Sequence, residues 1–220
     1  MPGSSVSSHV PGQHARSTSR RHGLHAIVAL AVLVAVPVIA GVLLGFHSLV
    51  LVPLELAAIA LTFAVDRRVI PVVDRWARGA TGEEQVGKII DGLRDLGWLA
   101  IHDVSSGRGN VDHILVGPAG LFTVETKSRQ GSIDPAKIDP AMLRQAYAES
   151  KFVERIVGSK VEPLLVFSRA FLIGHGVSRH RGVTVLTARM LAGHLARRPS
   201  RLTPASVAEV HARLVAALDA

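Results

Sequence analysis

Residues 111–127 read VDHILVGPAGLFTVETK, and the fold is decided there. Two runs rich in Val, Ile, Leu, Phe and Thr, 111–117 and 121–127, flank Gly117-Pro118-Ala119-Gly120. That pattern predicts two short strands joined by a tight turn. Pro118 suits position i+1 of a type I turn, with Gly120 at i+3. If Pro118 and Ala119 are the two loop residues, Val116 faces Leu121, Ile114 faces Thr123 and Asp112 faces Glu125. Directly opposed side chains in an antiparallel pair have Cβ atoms about 5 Å apart. The register therefore forces two carboxylates together on one face. Lys127, two residues beyond Glu125, points to the same side.

Opposed like charges destabilise a hairpin unless a cation offsets them. Lys127 is one such cation, and a divalent metal is a better one. Mg²⁺ takes one or two protein carboxylates and keeps several waters. A lysine beside it orients an attacking water or helps deprotonate it. Each of the three residues taken alone reads as ordinary surface charge. The trio on one face of an apolar hairpin reads as a site.

Outward from the hairpin, Thr81 and Glu84 have the spacing of a capping box, which predicts a helix over 83–96. Its apolar face is Val86, Ile89, Ile90, Leu93 and Leu96, and Glu83 falls along that side. An inward acid needs a reason, and Glu83 is expected as a third carboxylate near Asp112 and Glu125. The plainer alternative is a first-turn partner of the helix dipole. Strands are expected over 98–104, 164–167 and 182–186. Helices are expected from Asp139-Pro140 to about residue 157, over 190–196, and from Thr203-Pro204 to 218. Residues 178–181, Ser-Arg-His-Arg, read as a loop. The order α-β-β-β-α-β-β-α predicts a three-layer α/β core with a mixed sheet.

With these residues on the page, the sequence resembles a known family. Asp112 and then Glu125-Thr126-Lys127 resemble the D…(D/E)-x-K signature of the restriction-endonuclease-like, or PD-(D/E)XK, superfamily. More narrowly, Gly82-Glu83, 111–116, 117–122, 124–127 and the following Gly131 resemble the nuclease-related domain (NERD) family. The resemblance covers about residues 80–157. It implies a restriction-endonuclease-like core and hydrolysis of phosphodiester bonds in DNA or RNA. It also implies Glu83, Asp112, Glu125 and Lys127 as catalytic residues, with Asp112 and Glu125 holding Mg²⁺ or Mn²⁺. Nucleases of this superfamily often carry a Gln on the helix after the hairpin, which puts Gln145 near the substrate. Arg129 and Lys151 are further candidates for contacts to it.

The first 79 residues are of a different kind. Residues 1–22 are Ser, Gly, His and Arg with little to bury, which predicts a disordered basic tail. Residues 24–46 contain no Asp, Glu, Lys or Arg. At about 1.5 Å per residue they are long enough to cross a hydrocarbon core of about 30 Å. A second apolar run over 49–65 is interrupted by Pro53 and Glu55, and 45–48 makes the turn between the two. Arg16, Arg20 and Arg21 precede the pair and Arg67, Arg68, Arg75 and Arg78 follow it, while the turn has no Lys or Arg. The positive-inside rule then predicts two transmembrane helices in a cell (inner) membrane, with the N-terminus and the C-terminal domain cytoplasmic. Residues 67–79 are expected as a juxtamembrane linker bearing Trp76, and 80–220 as the nuclease-like domain. A cleaved export signal fits less well, since its apolar region is only about 7–15 residues long.

Composition closes several routes. The chain has 220 residues, a formal net charge of +8 and no cysteine, which excludes disulfides, zinc ribbons and a thiol nucleophile. No P-loop, His-Glu-x-x-His, nucleophile elbow or dinucleotide fingerprint is present, so no organic cofactor is expected. From Ala80 onward 18 Lys and Arg stand against 14 Asp and Glu. Half of the positive excess therefore belongs to the tail and membrane flanks, where anionic lipid accounts for it. The expected partners are nucleic acid and the lipid bilayer. A non-catalytic module that binds nucleic acid or a protein at the membrane is the alternative, and oligomeric state is left open.

Overall fold

A computed structural model of the chain describes residues 70–107, 109–174 and 176–219, with scattered positions between 28 and 67. Two compact units divide it, one of them His14–Arg78 and the other built on Gly79–Ala220. The tail expected over 1–22 lies outside the described residues. The two membrane spans expected over 24–46 and 49–65 fall largely outside them too. The positions that are described there are helical, and Val32, Val36, Val42, Leu56 and Leu61 are exposed. Among the described residues no helix is long and apolar enough to cross a membrane.

The first complete helix, α1, spans Ile70–Asp91. Pro71 sits in its first turn, where no intrahelical N–H is required. The helix corrects the expected start: Thr81 is not an N-cap but an interior residue, and the 67–79 linker is helical from Ile70 onward. Glu84 pairs with Lys88 at 3.3 Å, one turn on, rather than closing a capping box. Burial of Ala80, Gly82, Val86 and Ile90 holds the helix through its three glycines, so tertiary packing overrides local propensity. The helix also ends earlier than expected, and Arg94–Leu96 is a 3₁₀ turn stopped by Gly97 in the left-handed region.

Six strands follow: β1 (Leu99–Ser105), β2 (Asn110–Gly117), β3 (Gly120–Ile133), β4 (Val161–Leu172), β5 (Val177–His180) and β6 (Val183–Thr187). The sheet order is β1-β2-β3-β4-β6-β5. β3 runs parallel to β4 and β4 to β6, and the other pairs are antiparallel. The mixed α/β architecture agrees with the sequence reading. The expected 178–181 loop is instead edge strand β5. His180 pairs with Val183 across Arg181 and Gly182, both at positive φ (49° and 84°). That two-residue hairpin turn is one that Asn-Gly usually marks, and Arg-Gly hid it.

Helix α2 (Pro140–Val157) crosses between parallel β3 and β4, and α3 (Ala188–Ala196) and α4 (Pro204–Leu218) follow β6. Asp139 caps α2 by accepting from the Ala141 N–H at 2.8 Å, and Thr203 caps α4 from Ser206 N–H. The sheet separates two layers of core. Val86 and Ile90 of α1, Leu93 just after it, and Leu191 and Leu195 of α3 pack with Leu115, Phe122, Val124, Leu164 and Val166 on one face. Val153 of α2 and Val207 and Leu214 of α4 cover Ile114, Val116 and Leu121 on the other. Each such buried side chain contributes about 1.5–3 kcal/mol. The hairpin turn is locked from outside, since the Pro118 carbonyl accepts from Arg201 N–H at 2.7 Å and Leu202 N–H at 2.9 Å.

Candidate active site

The hairpin register is the expected one: Gly117 pairs with Gly120, Val116 with Leu121, Ile114 with Thr123 and His113 with Val124. Phe122 and Val124 face α1, so Leu121, Thr123, Glu125 and Lys127 alternate toward α2. Asp112 has the parity of Ile114 and Val116 on the same side. At that point the ladder gives way to a side chain. Asp112 Oδ2 accepts the Thr126 N–H at 2.7 Å.

The strand before it bends at the same level. Asp103 on β1 has φ of 54° and interrupts the pairing between His102–His113 and Val104–Val111. Asn110 Nδ2 donates to Asp103 Oδ1 at 2.7 Å and holds the bend. A non-glycine residue in the left-handed region stores strain, and such strain concentrates at working sites.

The Lys127 ammonium donates to Glu125 Oε1 and, at 3.0 Å, to Gln145 Oε1 on α2. Gln145 Nε2 in turn donates to Glu149 Oε1 at 3.0 Å. Glu125 is 2% exposed and Glu149 7%, and the two buried carboxyls share a side-chain hydrogen bond. Glu83 arrives from the other layer. Gly82 precedes it so close to the sheet that a Cβ there would lie 2.7 Å from Ser168 Oγ and 2.9 Å from Ser128 Cβ. Only glycine lets α1 approach that closely.

The electrostatics match this crowding. Burial, then the charges of Glu125 and Asp103, raise the Glu83 carboxyl to about 7 against the opposing pull of Lys127. Burial and then Glu125 and Glu83 hold Asp112 well above the usual carboxylate range, with the Thr126 N–H working the other way. Glu149 is raised to about 9 by burial and then by Glu125. For Lys127, burial lowers the pKa, but the charge and hydrogen bond of Glu125, with Asp112 and Glu149, lift it further. The Lys127 ammonium therefore stays protonated at neutral pH.

Residues 78–168 match the family model described as the nuclease-related domain. That segment is similar to the nuclease-related domain. The match takes in the end of α1, the hairpin, α2 and β4, and with them Glu83, Asp112, Glu125, Lys127 and Gln145. No curated protein matches the chain. Among solved structures, the crystal structure of a repair endonuclease from Pyrococcus abyssi is similar at 19% identity and a TM-score of 0.30. That match covers 55% of this chain and 46% of the other, so the chain spans less than half the length of that structure.

Within the matched segment, the expected residues do not all meet. Glu83, Asp112, Glu125, Lys127 and Gln145 are linked by hydrogen bonds or mutual charge. Arg129 is exposed on β3, next to the register shift between Lys127 and Gln130. Lys151 is not brought to the site. Its ammonium pairs with Glu154 and stands 5.3 Å from the Tyr147 ring centroid. Six residues past Gln145 is about 240° around a helix of 3.6 residues per turn, which points Lys151 off the site face. Two members were missed. Asp103 lies within β1 and has no local pattern that sets it apart. Glu149 lies on the buried stripe of α2 with Leu143, Ala146, Ser150 and Val153, one helical turn beyond Gln145, and that spacing was the available signal. Among the described residues no set of three or more His, Cys, Asp or Glu is arranged to hold a metal ion. The hard-oxygen donors at hand are the Asp112 and Glu125 carboxylates.

Proposed function

We propose that this chain is a membrane-anchored, metal-dependent nuclease that hydrolyses phosphodiester bonds of DNA or RNA at the cytoplasmic face. The observation that supports it most is one network on one sheet face: Asp112 fixed by Thr126 N–H, and Glu125 joined to Gln145 through the Lys127 ammonium. The donor set fits a hard divalent cation. Glu125 is buried beside the Glu149 carboxyl, and three acids with raised pKa lie around the Lys127 ammonium. Asp112 and Glu125 would hold Mg²⁺ or Mn²⁺, within that ion's usual limit of one or two carboxylates. Bound there, the ion supplies a Lewis acid that polarises the phosphoryl group and acidifies a water.

The chain's own residues do the rest. Lys127, kept cationic, offsets charge that builds on the phosphoryl oxygens in the transition state. It acts as a charge and hydrogen-bond donor, not as a base. Glu83, with a carboxyl near neutrality, is suited to take up or release a proton beside the reacting water. Gln145 aligns the ammonium. The excess of 18 Lys and Arg over 14 Asp and Glu from Ala80 onward suits a polyanionic substrate. The uncharged run over 24–46 and the arginines on both outer flanks support the anchor.

Two experiments test the reading. Full-length protein is incubated with supercoiled plasmid and with labelled RNA in Mg²⁺ or Mn²⁺, beside Lys127→Ala and Asp112→Ala. Wild type should cut at least one substrate, and chelator or either substitution should stop it. Equal cutting by all three proteins would refute the catalytic assignment. Binding without cutting would favour the non-catalytic alternative. For the anchor, the full chain should sediment with membranes and resist alkaline carbonate extraction. Recovery in the soluble fraction would contradict it.

A further inference from the structure

Glu149 is costly where it stands. It occupies the buried stripe of α2, where Leu143, Ala146 and Val153 show what the position would otherwise hold. It lies against Glu125, a second buried acid, with which it shares a side-chain hydrogen bond. Replacing a buried polar group of this kind by a well-packed apolar one is often neutral or stabilising. A carboxyl group kept there needs a function, and the hydrogen-bond directions supply one.

An ammonium can only donate, so the Gln145 atom facing Lys127 must be the carbonyl Oε1. That fixes the other end of the amide. Nε2 must point away from Lys127 and needs an acceptor, which Glu149 Oε1 provides at 3.0 Å. Gln145 itself is exposed. Without an acceptor at 149, nothing on α2 holds its amide in the one orientation that receives the ammonium. Freed from Gln145, Lys127 keeps only its bond to Glu125, from its own strand.

From this geometry we infer that Glu149 is a positioning residue of the site: it orients the Gln145 amide, which holds the Lys127 ammonium in place from the opposite layer. The inference builds on the nucleolytic reading, since the positioned ammonium is the one that faces the phosphoryl group. It concerns an acceptor atom rather than a charge. Glu149→Gln should therefore keep the role through its own Oε1, while Glu149→Leu removes it and fills the space.

The test uses the full chain and two readouts. The first, in chelator and without metal, is the acylation rate of Lys127 by an amine-reactive ester, read by mass spectrometry. It should rise several-fold in Glu149→Leu and in Gln145→Leu and stay near wild type in Glu149→Gln. The second is cleavage in Mn²⁺. kcat should fall about tenfold or more in both Leu variants, with KM and Mn²⁺ affinity unchanged. The double variant should be no worse than either single, as expected of residues acting in series. The melting temperature of Glu149→Leu should equal or exceed that of wild type, which separates positioning from a structural role. Unchanged Lys127 labelling in Glu149→Leu would overturn the inference. So would Glu149→Gln behaving like Glu149→Leu, or a loss of Mn²⁺ affinity in both, which would make Glu149 a ligand. If wild type cleaves nothing, the nucleolytic reading fails, while the labelling still decides whether Glu149 sets the ammonium.

Discussion

Replacing Glu149 with Gln should change how stability depends on pH, and the size of the change follows from the site. Burial and Glu125 lift this carboxyl from 4.5 to about 9. The unfolded chain releases the proton near 4.5, while the folded chain holds it to about 9. Between those values the folded state carries one more proton, so stability falls as pH rises across the window. Linkage over pH 4 to 7.5 gives a loss on the order of 4 kcal/mol from this one group, at about 1.36 kcal/mol per pKa unit. Glu149→Gln has nothing to titrate, so its stability curve should be flatter by that amount and lie above wild type at pH 7.5. The assay is urea unfolding at half-unit pH steps, with the two midpoints compared. Saturating Mg²⁺ should narrow the gap, because a cation beside Glu125 offsets the charge that raises Glu149. Parallel curves for the two proteins would refute the reasoning, since Glu149 would then be ionised in the fold.

Three further outcomes follow from single contacts. Gly82→Ala puts a Cβ 2.7 Å from Ser168 Oγ; α1 must back away, costing about 1–3 kcal/mol and lowering cleavage through the displaced Glu83, measurable as unfolding midpoint and kcat. Gly117→Ala drives a Cβ to 2.2 Å from the Trp98 ring and should cost the upper end of that same range of about 1–3 kcal/mol, with altered Trp emission as the second readout. His113, fully buried beside His102 Nδ1 at 2.8 Å, is lowered to about 3 by burial and then by His102. The unfolded chain protonates it below 6.5 and the fold does not, so acidification from pH 7.5 to 5 should cost about 2 kcal/mol, a loss that His113→Asn should not show.

The hairpin was legible because its rules are short-ranged. A side-chain period of two and a Gly-Pro-Ala-Gly bend fix which residues share a face, and Glu125 and Lys127 lie where that period puts them. Element ends were less legible. Gly79 and Thr81 look like a helix boundary in sequence, yet α1 runs through them because Ala80, Val86 and Ile90 bury against the sheet. Strand β5 was hidden by an Arg-Gly turn. Glu149 was not singled out, because its meaning depends on where β3 delivers Lys127, a contact 18 residues back from Gln145. Asp103 joins the site only through a left-handed bend that no local pattern announced.

The central claim is that Asp112 and Glu125 share a divalent cation across the hairpin. Mn²⁺ titration of the full chain, followed by loss of the free-ion paramagnetic resonance signal, tests it most directly. The account predicts a binding step in wild type that either Asp112→Asn or Glu125→Gln removes while the fold persists. Binding that survives both substitutions, or no binding in any of the three proteins, would contradict it.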